Sequence, residues 1–134
     1  MAKPILTILL KGPFSDAFRF VETLLQPLGF VLANPGSGRV THWSDDGEQI
    51  TMPRDTIINE ASAATMKNVQ FWSTSSEDLF VSWIEASPGW LFSFHLNGVN
   101  PELKIALTTA LSNSVLTDLK LQYEDECAFR IVFD

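Results

Sequence analysis

The sequence is poor in the residues on which most enzymes and secreted proteins depend. It has one cysteine, Cys127, and two histidines, His42 and His95, in 134 residues. A single cysteine excludes an internal disulfide and fits a reducing compartment, so we expect a cytoplasmic protein. Two histidines, with no nucleophile elbow, phosphate loop or dinucleotide motif, leave little for acid–base or nucleophilic catalysis. The sequence therefore predicts a protein that is not an enzyme and uses no cofactor.

Basic residues are also scarce. Nine Lys and Arg stand against 16 Asp and Glu, which gives a net charge of −7. Binding to nucleic acid requires clustered Lys and Arg that neutralise phosphates, so this balance argues against it. The apolar run 5–10 ends at Lys11 and is far shorter than the roughly 20 residues of a membrane span. No small-residue cleavage site follows it, so it predicts a buried strand rather than an export signal.

The remaining composition is that of one globular domain spanning 1–134. Hydrophobic residues make up 46% of the chain and charged residues 19%, both ordinary for a soluble protein. Apolar spacing of three and four predicts a helix from about Ser15 to Gln26, which Pro27 and Gly29 end. Asn100 followed by Pro101 predicts the start of a second helix, which finishes near Thr117. A weaker pattern predicts a third helix within 54–67.

Short apolar segments predict a mainly antiparallel sheet of six to eight strands, and so an α+β fold. The candidate strands are 5–10, 30–33, 39–44, 48–52, 69–74, 79–86, 90–96, 120–123 and 129–133. Run 5–10 is apolar on both parities, which is typical of a strand covered on both faces. Three hairpins are predicted, with Trp43 opposite Ile50, Trp83 opposite Phe94, and Leu121 opposite Ile131.

The first hairpin tip has the composition of a metal site. His42, Asp45, Asp46 and Glu48 lie close together in sequence, yet Asp-Gly at a hairpin is explained by turn geometry alone. We therefore predict a solvated turn and no metal. The predicted register sets Asp45 opposite Glu48, and this like-charge pair implies a frayed tip or a nearby cation.

The second half of the chain combines acidity with aromatic residues. Residues 68–134 hold nine acids against three bases, an excess of six negative charges, and three of the four Trp. A one-sided negative field steers cationic partners, and Trp is enriched at binding hot spots. We expect Trp43 and Trp83 in the core and Trp90 partly exposed, while Phe71 and Trp72 cannot both face the core. The predicted partner-binding residues are Glu77, Asp78, Glu85, Trp90, Glu124, Asp125 and Glu126.

These features give the chain a resemblance in type to the immunity proteins of bacterial toxin systems. The residues that carry it are the acidic tip 124–126, Glu77-Asp78 and the strand–turn–strand 79–96. The resemblance implies a small bacterial inhibitor that neutralises a basic toxin domain, for example one of nuclease type. It would act as a monomer or a homodimer. Two alternatives stay open: an acidic secretion chaperone for an effector protein, and a small-ligand-binding domain. For the latter, His95, Ser82 and Arg130 are the first polar groups to consider.

Overall fold

A computed structural model describes residues 2–56 and 65–134, which form one antiparallel sheet and two helices. The strands are β1 (Pro4–Lys11), β2 (Val40–Trp43), β3 (Gln49–Met52), β4 (Asn68–Trp72), β5 (Asp78–Ala86), β6 (Gly89–His95) and β7 (Phe129–Phe133). The helices are α1 (Phe14–Leu25) and α2 (Pro101–Leu116). Across the sheet the order is β3-β2-β4-β5-β6-β1-β7. The α+β class and the predicted strand number are confirmed.

Both well-signalled helices form where their sequences place them. In α1 the buried residues recur along one stripe: Phe14, Ala17, Phe18, Val21 and Leu25. A short 3-10 turn follows, and Gly29 ends it with φ of +91°, a left-handed conformation that favours glycine. In α2 the Asn100 side chain accepts the Glu102 N–H at 2.8 Å, which satisfies one of the unpaired donors of the first turn.

The core lies between the two helices and one face of the sheet, called here the helix face. Its buried strand residues are Leu6, Ile8, Leu10, Val40, Val69, Phe71, Leu79, Val81, Trp83, Phe92 and Phe94. On the opposite side, called the open face, no helix of the described residues packs. Of the open-face residues of β1, Thr7 is buried, and Ile5 and Leu9 are half-buried. Within the described residues, helices cover β1 on the helix face alone.

The first hairpin is shifted by one residue from its predicted register. Trp43 lies opposite Gln49, and the connection runs from Ser44 to Glu48. The Ser44 carbonyl accepts the Gly47 N–H at 3.0 Å, so the turn is longer than two residues. Because β2 pairs with β4 through Thr41 and Gln70 and so turns Val40 and His42 toward the core, Trp43, which was expected in the core, lies on the open face. There its indole N–H donates to Gln70 Oε1 at 3.0 Å.

The β5–β6 hairpin is shifted by two residues, which leaves every side chain on its expected face. Trp83 lies opposite Phe92 rather than Phe94. The two turn residues are Ser87 and Pro88, and Gly89 already belongs to β6. Trp83 is 3% exposed, as expected for the core. Phe71 takes the core position and Trp72 the open face, although Trp72 is itself 8% exposed.

The predicted C-terminal hairpin is wrong. Residues 120–122 form a 3-10 turn, and β7 pairs with β1, with Ile131 opposite Leu6. The candidate strand 30–33 contributes only a single bridge between Val31 and Trp72. Of the predicted helix within 54–67, a 3-10 turn covers Arg54–Thr56 and residues 65–67 are not helical. Positions 57–64 lie outside the described residues.

Candidate functional site

A cavity of about 450 Å³ opens at the end of the sheet where β5 finishes and β6 begins. Its walls are the β5–β6 turn and the start of α1, with Phe14, Glu85 and Trp90 as the largest side chains. The position of Gly89 is fixed by its close packing on β1. A Cβ there would stand 2.2 Å from the Leu10 carbonyl oxygen, so no larger residue fits without displacing backbone. Glycine at this position thus keeps the turn close to β1.

Trp90 and Glu85 face each other at the mouth of this cavity. They are register partners across β5 and β6. The Trp90 ring packs edge-on against Phe14, with ring centroids 5.1 Å apart and planes at 78°. Trp90 is half-buried and Glu85 is exposed. The expectation that Trp90 is partly exposed is confirmed, and a carboxylate stands beside its indole.

A second acidic element lies at the same end, in the loop that leads into β7. The Tyr123 hydroxyl donates to the Leu9 carbonyl at 2.7 Å and ties this loop to β1. Burial raises the pKa of Tyr123 to about 12, and the nearby Glu126 carboxylate adds to the rise. Glu126 forms an ion pair with Lys11. Hydrogen bonding to Lys11 and to the Glu124 N–H lowers the pKa of Glu126.

The β2–β3 turn brings a third group of acids to this end. Asp45, Asp46 and Glu48 are all exposed, and Lys67 approaches Asp45 at 3.1 Å. The cation expected near this tip is therefore present. The reason is not the predicted one, because Ser44, and not Asp45, lies opposite Glu48. His42 is buried on the helix face, on the opposite side of β2 from Trp43.

These three elements define what we call the acidic end. Its described carboxylates are Asp45, Asp46, Glu48, Glu85, Glu124, Asp125 and Glu126. Two ammonium groups, those of Lys11 and Lys67, stand against these seven carboxylates, an excess of five negative charges. Each of the two is already engaged in an ion pair. Low-dielectric surroundings would strengthen this field, while exposure to salt screens it.

The sequence-predicted site does not stay together in the fold. Glu85, Trp90 and the tip 124–126 lie at the acidic end. Glu77 and Asp78 lie at the far end, where β5 begins. Seven residues separate Asp78 from Glu85 along β5, which is about 23 Å at the usual strand rise. The predicted strand 79–86 already implies this separation, because Glu77 and Asp78 precede it and Glu85 lies near its end.

The far end carries a smaller cavity of about 320 Å³ on the sheet. Its charged and aromatic lining consists of Lys3, Asp78, Phe80, His95 and Asp134. Ser82 Oγ lies 3.0 Å from His95 Nε2, so two of the three residues named for a small-ligand site are in contact. Burial lowers the pKa of His95, and the Asp134 carboxylate opposes this. The third residue, Arg130, is exposed on β7, where it pairs with Thr7 of β1 and lies on the open face.

The Ser82–His95 contact lacks the other parts of a nucleophilic site. Ser82 belongs to the central strand β5, whose neighbours β4 and β6 pair with it on both sides. The backbone N–H groups around Ser82 are therefore used in the sheet, and an oxyanion hole needs free donors at such a position. Within the described residues, the His95 ring donates no hydrogen bond to a carboxylate that would orient it. The arrangement favours a polar binding contact over catalysis.

Other site chemistries find little support in the part of the chain that is described. No group of three or more His, Cys, Asp or Glu is arranged there to hold a metal ion. Neither α1 nor α2 has the length and apolar character needed to cross a bilayer, and no other helix of residues 2–56 and 65–134 does. Cys127 is a free, exposed cysteine that follows Glu126 in the loop leading into β7.

The chain was compared with protein-family models, with curated proteins and with solved structures. None of the three comparisons gives a match. The geometry of the acidic end and of the far cavity is therefore the basis for a functional proposal.

Proposed function

We propose that this protein is a non-enzymatic binding module that docks a basic protein partner at its acidic end. The single observation that carries the proposal is the excess of five negative charges on three elements at the end of the sheet where Trp90 is half-exposed. The proposal keeps Glu85, Trp90 and the tip 124–126 as partner-binding residues. It leaves Glu77 and Asp78 outside the docking surface, because they lie at the far end of the sheet. An immunity or inhibitor protein acting on a basic toxin domain is the biological role that this surface fits.

The charge of the acidic end affects how fast a partner associates, and the Trp90 side chain affects how tightly the partner binds. A one-sided field can raise an association rate constant from about 10⁵–10⁶ toward 10⁸–10⁹ M⁻¹s⁻¹ at low salt. Energetically, affinity is concentrated in a few buried anchors, among which Trp and Arg are enriched. Trp90 already rests on Phe14, so little side-chain freedom is lost when a partner covers it. A partner's Arg or Lys could contact both the Trp90 ring and the Glu85 carboxylate.

The exposed acids allow a test with a matched control. Glu124→Lys and Glu77→Lys make the same charge change at the two ends of the sheet. Among the described residues, neither carboxylate forms an ion pair. The partner is first recovered from the host by pull-down and identified by mass spectrometry. Stopped-flow association rates are then measured for both variants at several salt concentrations.

We expect Glu124→Lys to slow association several-fold and to flatten its salt dependence, while Glu77→Lys changes the rate much less. Equal slowing by the two variants would mean that net charge alone matters and that the acidic end is not the docking surface. Faster or unchanged association of Glu124→Lys would remove the tip from the interface.

The far cavity supports a second candidate function, the binding of a small polar ligand. The observation that favours it is the convergence of Lys3, Asp78 and His95 around about 320 Å³ beside an aromatic ring, Phe80. Ligand pockets are usually lined mainly by apolar groups, whereas polar groups predominate in this cavity, which favours a polar ligand. A metabolite panel screened by thermal shift, with His95→Gln as the control variant, tests it. Stabilisation that survives in His95→Gln would exclude this cavity as the site.

A further inference from the structure

β7 ends the sheet, and its outer edge is uncovered in the described part of the chain. On its inner side Lys3 and Asp134 exchange two backbone hydrogen bonds of 2.7 and 2.9 Å. Antiparallel strands alternate between pairs that exchange such bonds and pairs that do not. The backbone groups of Arg130 and Val132 therefore face β1. Those of Phe129, Ile131 and Phe133 face outward, where a further strand could pair with them.

The side chains of β7 make this edge unusually apolar. Ile131 is 52% exposed and Phe133 is 66% exposed, both on the helix face. Natural sheets protect their edges with short strands, charges or proline, because an open apolar edge invites another strand. The opposite edge is better protected: β3 has four residues, and the Arg39 side chain donates to Thr51 Oγ1 at 3.2 Å. β7 is the edge that is ready to accept a strand.

We propose that β7 is a homodimer interface, at which a second copy of this chain adds its own β7 in antiparallel orientation. The twofold axis passes through Ile131. Ile131 then lies opposite Ile131 of the second copy, and Phe129 lies opposite Phe133. These are the residues whose backbone groups face outward, so the axis that aligns the side chains also completes six backbone hydrogen bonds.

The side chains are complementary in this register. Two Phe129–Phe133 pairs form across the interface, and cross-strand aromatic pairs are among the stabilising ones in sheets. On the open face Arg130 lies diagonal to Asp134 of the second copy, within reach of a long side chain. The two Arg130 side chains also lie diagonal to each other. They form the one like-charged contact that this register creates within β7. Two Arg130–Asp134 attractions oppose it.

The size of the interface predicts a weak dimer. The exposed parts of Ile131 and Phe133 amount to roughly 470 Å² over two copies, taking about 200 Å² for each full side chain. A stable complex usually buries about 1,600 Å² in total, so this surface belongs to the small class. We expect dissociation on dilution below about 100 µM. Because the twofold axis reverses the strands, the acidic ends of the two copies point in opposite directions and stay accessible. The dimer proposal does not depend on the proposed function.

Sedimentation velocity from about 5 to about 500 µM tests the dimer. Ile131→Pro removes an outward N–H and leaves the bonds to β1 in place, which is the position where an edge strand tolerates proline. Gln49→Pro makes the same change on the outer side of β3 and serves as the control. We expect the wild type and Gln49→Pro to dimerise at the high end of the range, and Ile131→Pro to stay monomeric with an unchanged far-ultraviolet circular dichroism spectrum. A wild type that is monomeric throughout, or an Ile131→Pro variant that dimerises normally, overturns the proposal.

Cysteine cross-linking tests the register even if the proline variant fails to fold. In a Cys127→Ser background, Ile131→Cys places two thiols face to face at the axis. Phe129→Cys, in the same strand, places them about 13 Å apart, since each pairs with residue 133 of the other copy. Diamide takes two electrons and two protons from a thiol pair to form the disulfide. A covalent dimer from Ile131→Cys but not from Phe129→Cys supports the axis. Equal yields from both variants, or no dimer from Ile131→Cys, would refute it.

Discussion

The hydroxyl of Tyr123 offers the sharpest test of how the acidic tip is held. Tyr123 is the one tyrosine of the sequence, so its ionisation can be followed by ultraviolet absorbance without interference from another. Its hydroxyl donates to the Leu9 carbonyl at 2.7 Å, and burial raises its pKa to about 12 from an ordinary value of 10.0. Removing the hydroxyl in Tyr123→Phe leaves a half-buried carbonyl without this partner.

The size of the effect follows from the hydrogen bond that is lost. A neutral hydrogen bond contributes about 0.5–1.5 kcal/mol to stability, so we expect Tyr123→Phe to cost about 1 kcal/mol. For a chain of this length, about 1 kcal/mol lowers the melting temperature by roughly 3–5 °C.

The pH dependence has a definite sign. The native state keeps the Tyr123 proton above pH 10.0, where the unfolded chain loses it. The contribution of the raised pKa to stability is therefore fully present below about pH 10 and lost as the pH rises toward about 12. Urea unfolding should show this loss in the wild type and not in Tyr123→Phe. Glu126→Gln should move the titration midpoint only part of the way down, because burial is the larger cause.

A titration midpoint near 10 in the folded protein would contradict this account of Tyr123. So would a Tyr123→Phe variant as stable as the wild type at neutral pH. The first result would show that the Tyr123 phenol is solvated, and the second would show that its hydrogen bond to Leu9 does not anchor the acidic tip.

Three further predictions concern the turn, the histidine and the tryptophan. Gly89→Ala should cost about 3 kcal/mol in urea unfolding, because its Cβ would meet the Leu10 carbonyl at 2.2 Å, whereas Gly47→Ala should cost only the roughly 1–2 kcal/mol of its left-handed backbone; equal costs would contradict the packing argument. Burial lowers the pKa of His95 from 6.5, so its contribution to folding stability is present above about pH 6.5 and is lost as the pH falls. The urea midpoint of unfolding should therefore fall less in acid for His95→Gln than for the wild type, and identical pH profiles would show that His95 is solvated. Trp90→Ala should cost about 2 kcal/mol, half the usual loss for a fully buried ring, and should lower partner affinity at least tenfold; intact affinity would assign Trp90 to folding alone.

Local signals were sufficient for the elements whose formation depends on neighbouring residues. The cap and proline at Asn100-Pro101 predict α2, and apolar spacing predicts α1, because helix hydrogen bonds join residues only four apart. The faces of β5 and β6 also follow from alternation, even though the exact pairing differs by two residues. The half-exposure of Trp90 could be anticipated from its place beside a turn.

Pairing between distant segments could not be obtained in this way. The alternation of 120–123 and 129–133 is compatible with a hairpin, but β1 offers β7 a longer apolar partner, and Tyr123 bonds to Leu9 instead of entering a strand. The turn at Ser44–Glu48 uses one more residue than Asp-Gly alone implies, and the pairing of β2 with β4 places Trp43 on the open face. Both outcomes depend on contacts across the sheet, which no local window contains.

The sequence by itself determined the helices, most of the strands and the surplus of acids, since these are properties of residues and of short-range spacing. Only the tertiary structure decided which acids share a surface. The β2–β3 turn brings Asp45 and Asp46 from the other half of the chain to the end where β5 finishes, because β2 and β5 both pair antiparallel with β4 and so run in the same direction. The number of acidic residues is known from the sequence, but their positions on the surface depend on the order and direction of the strands.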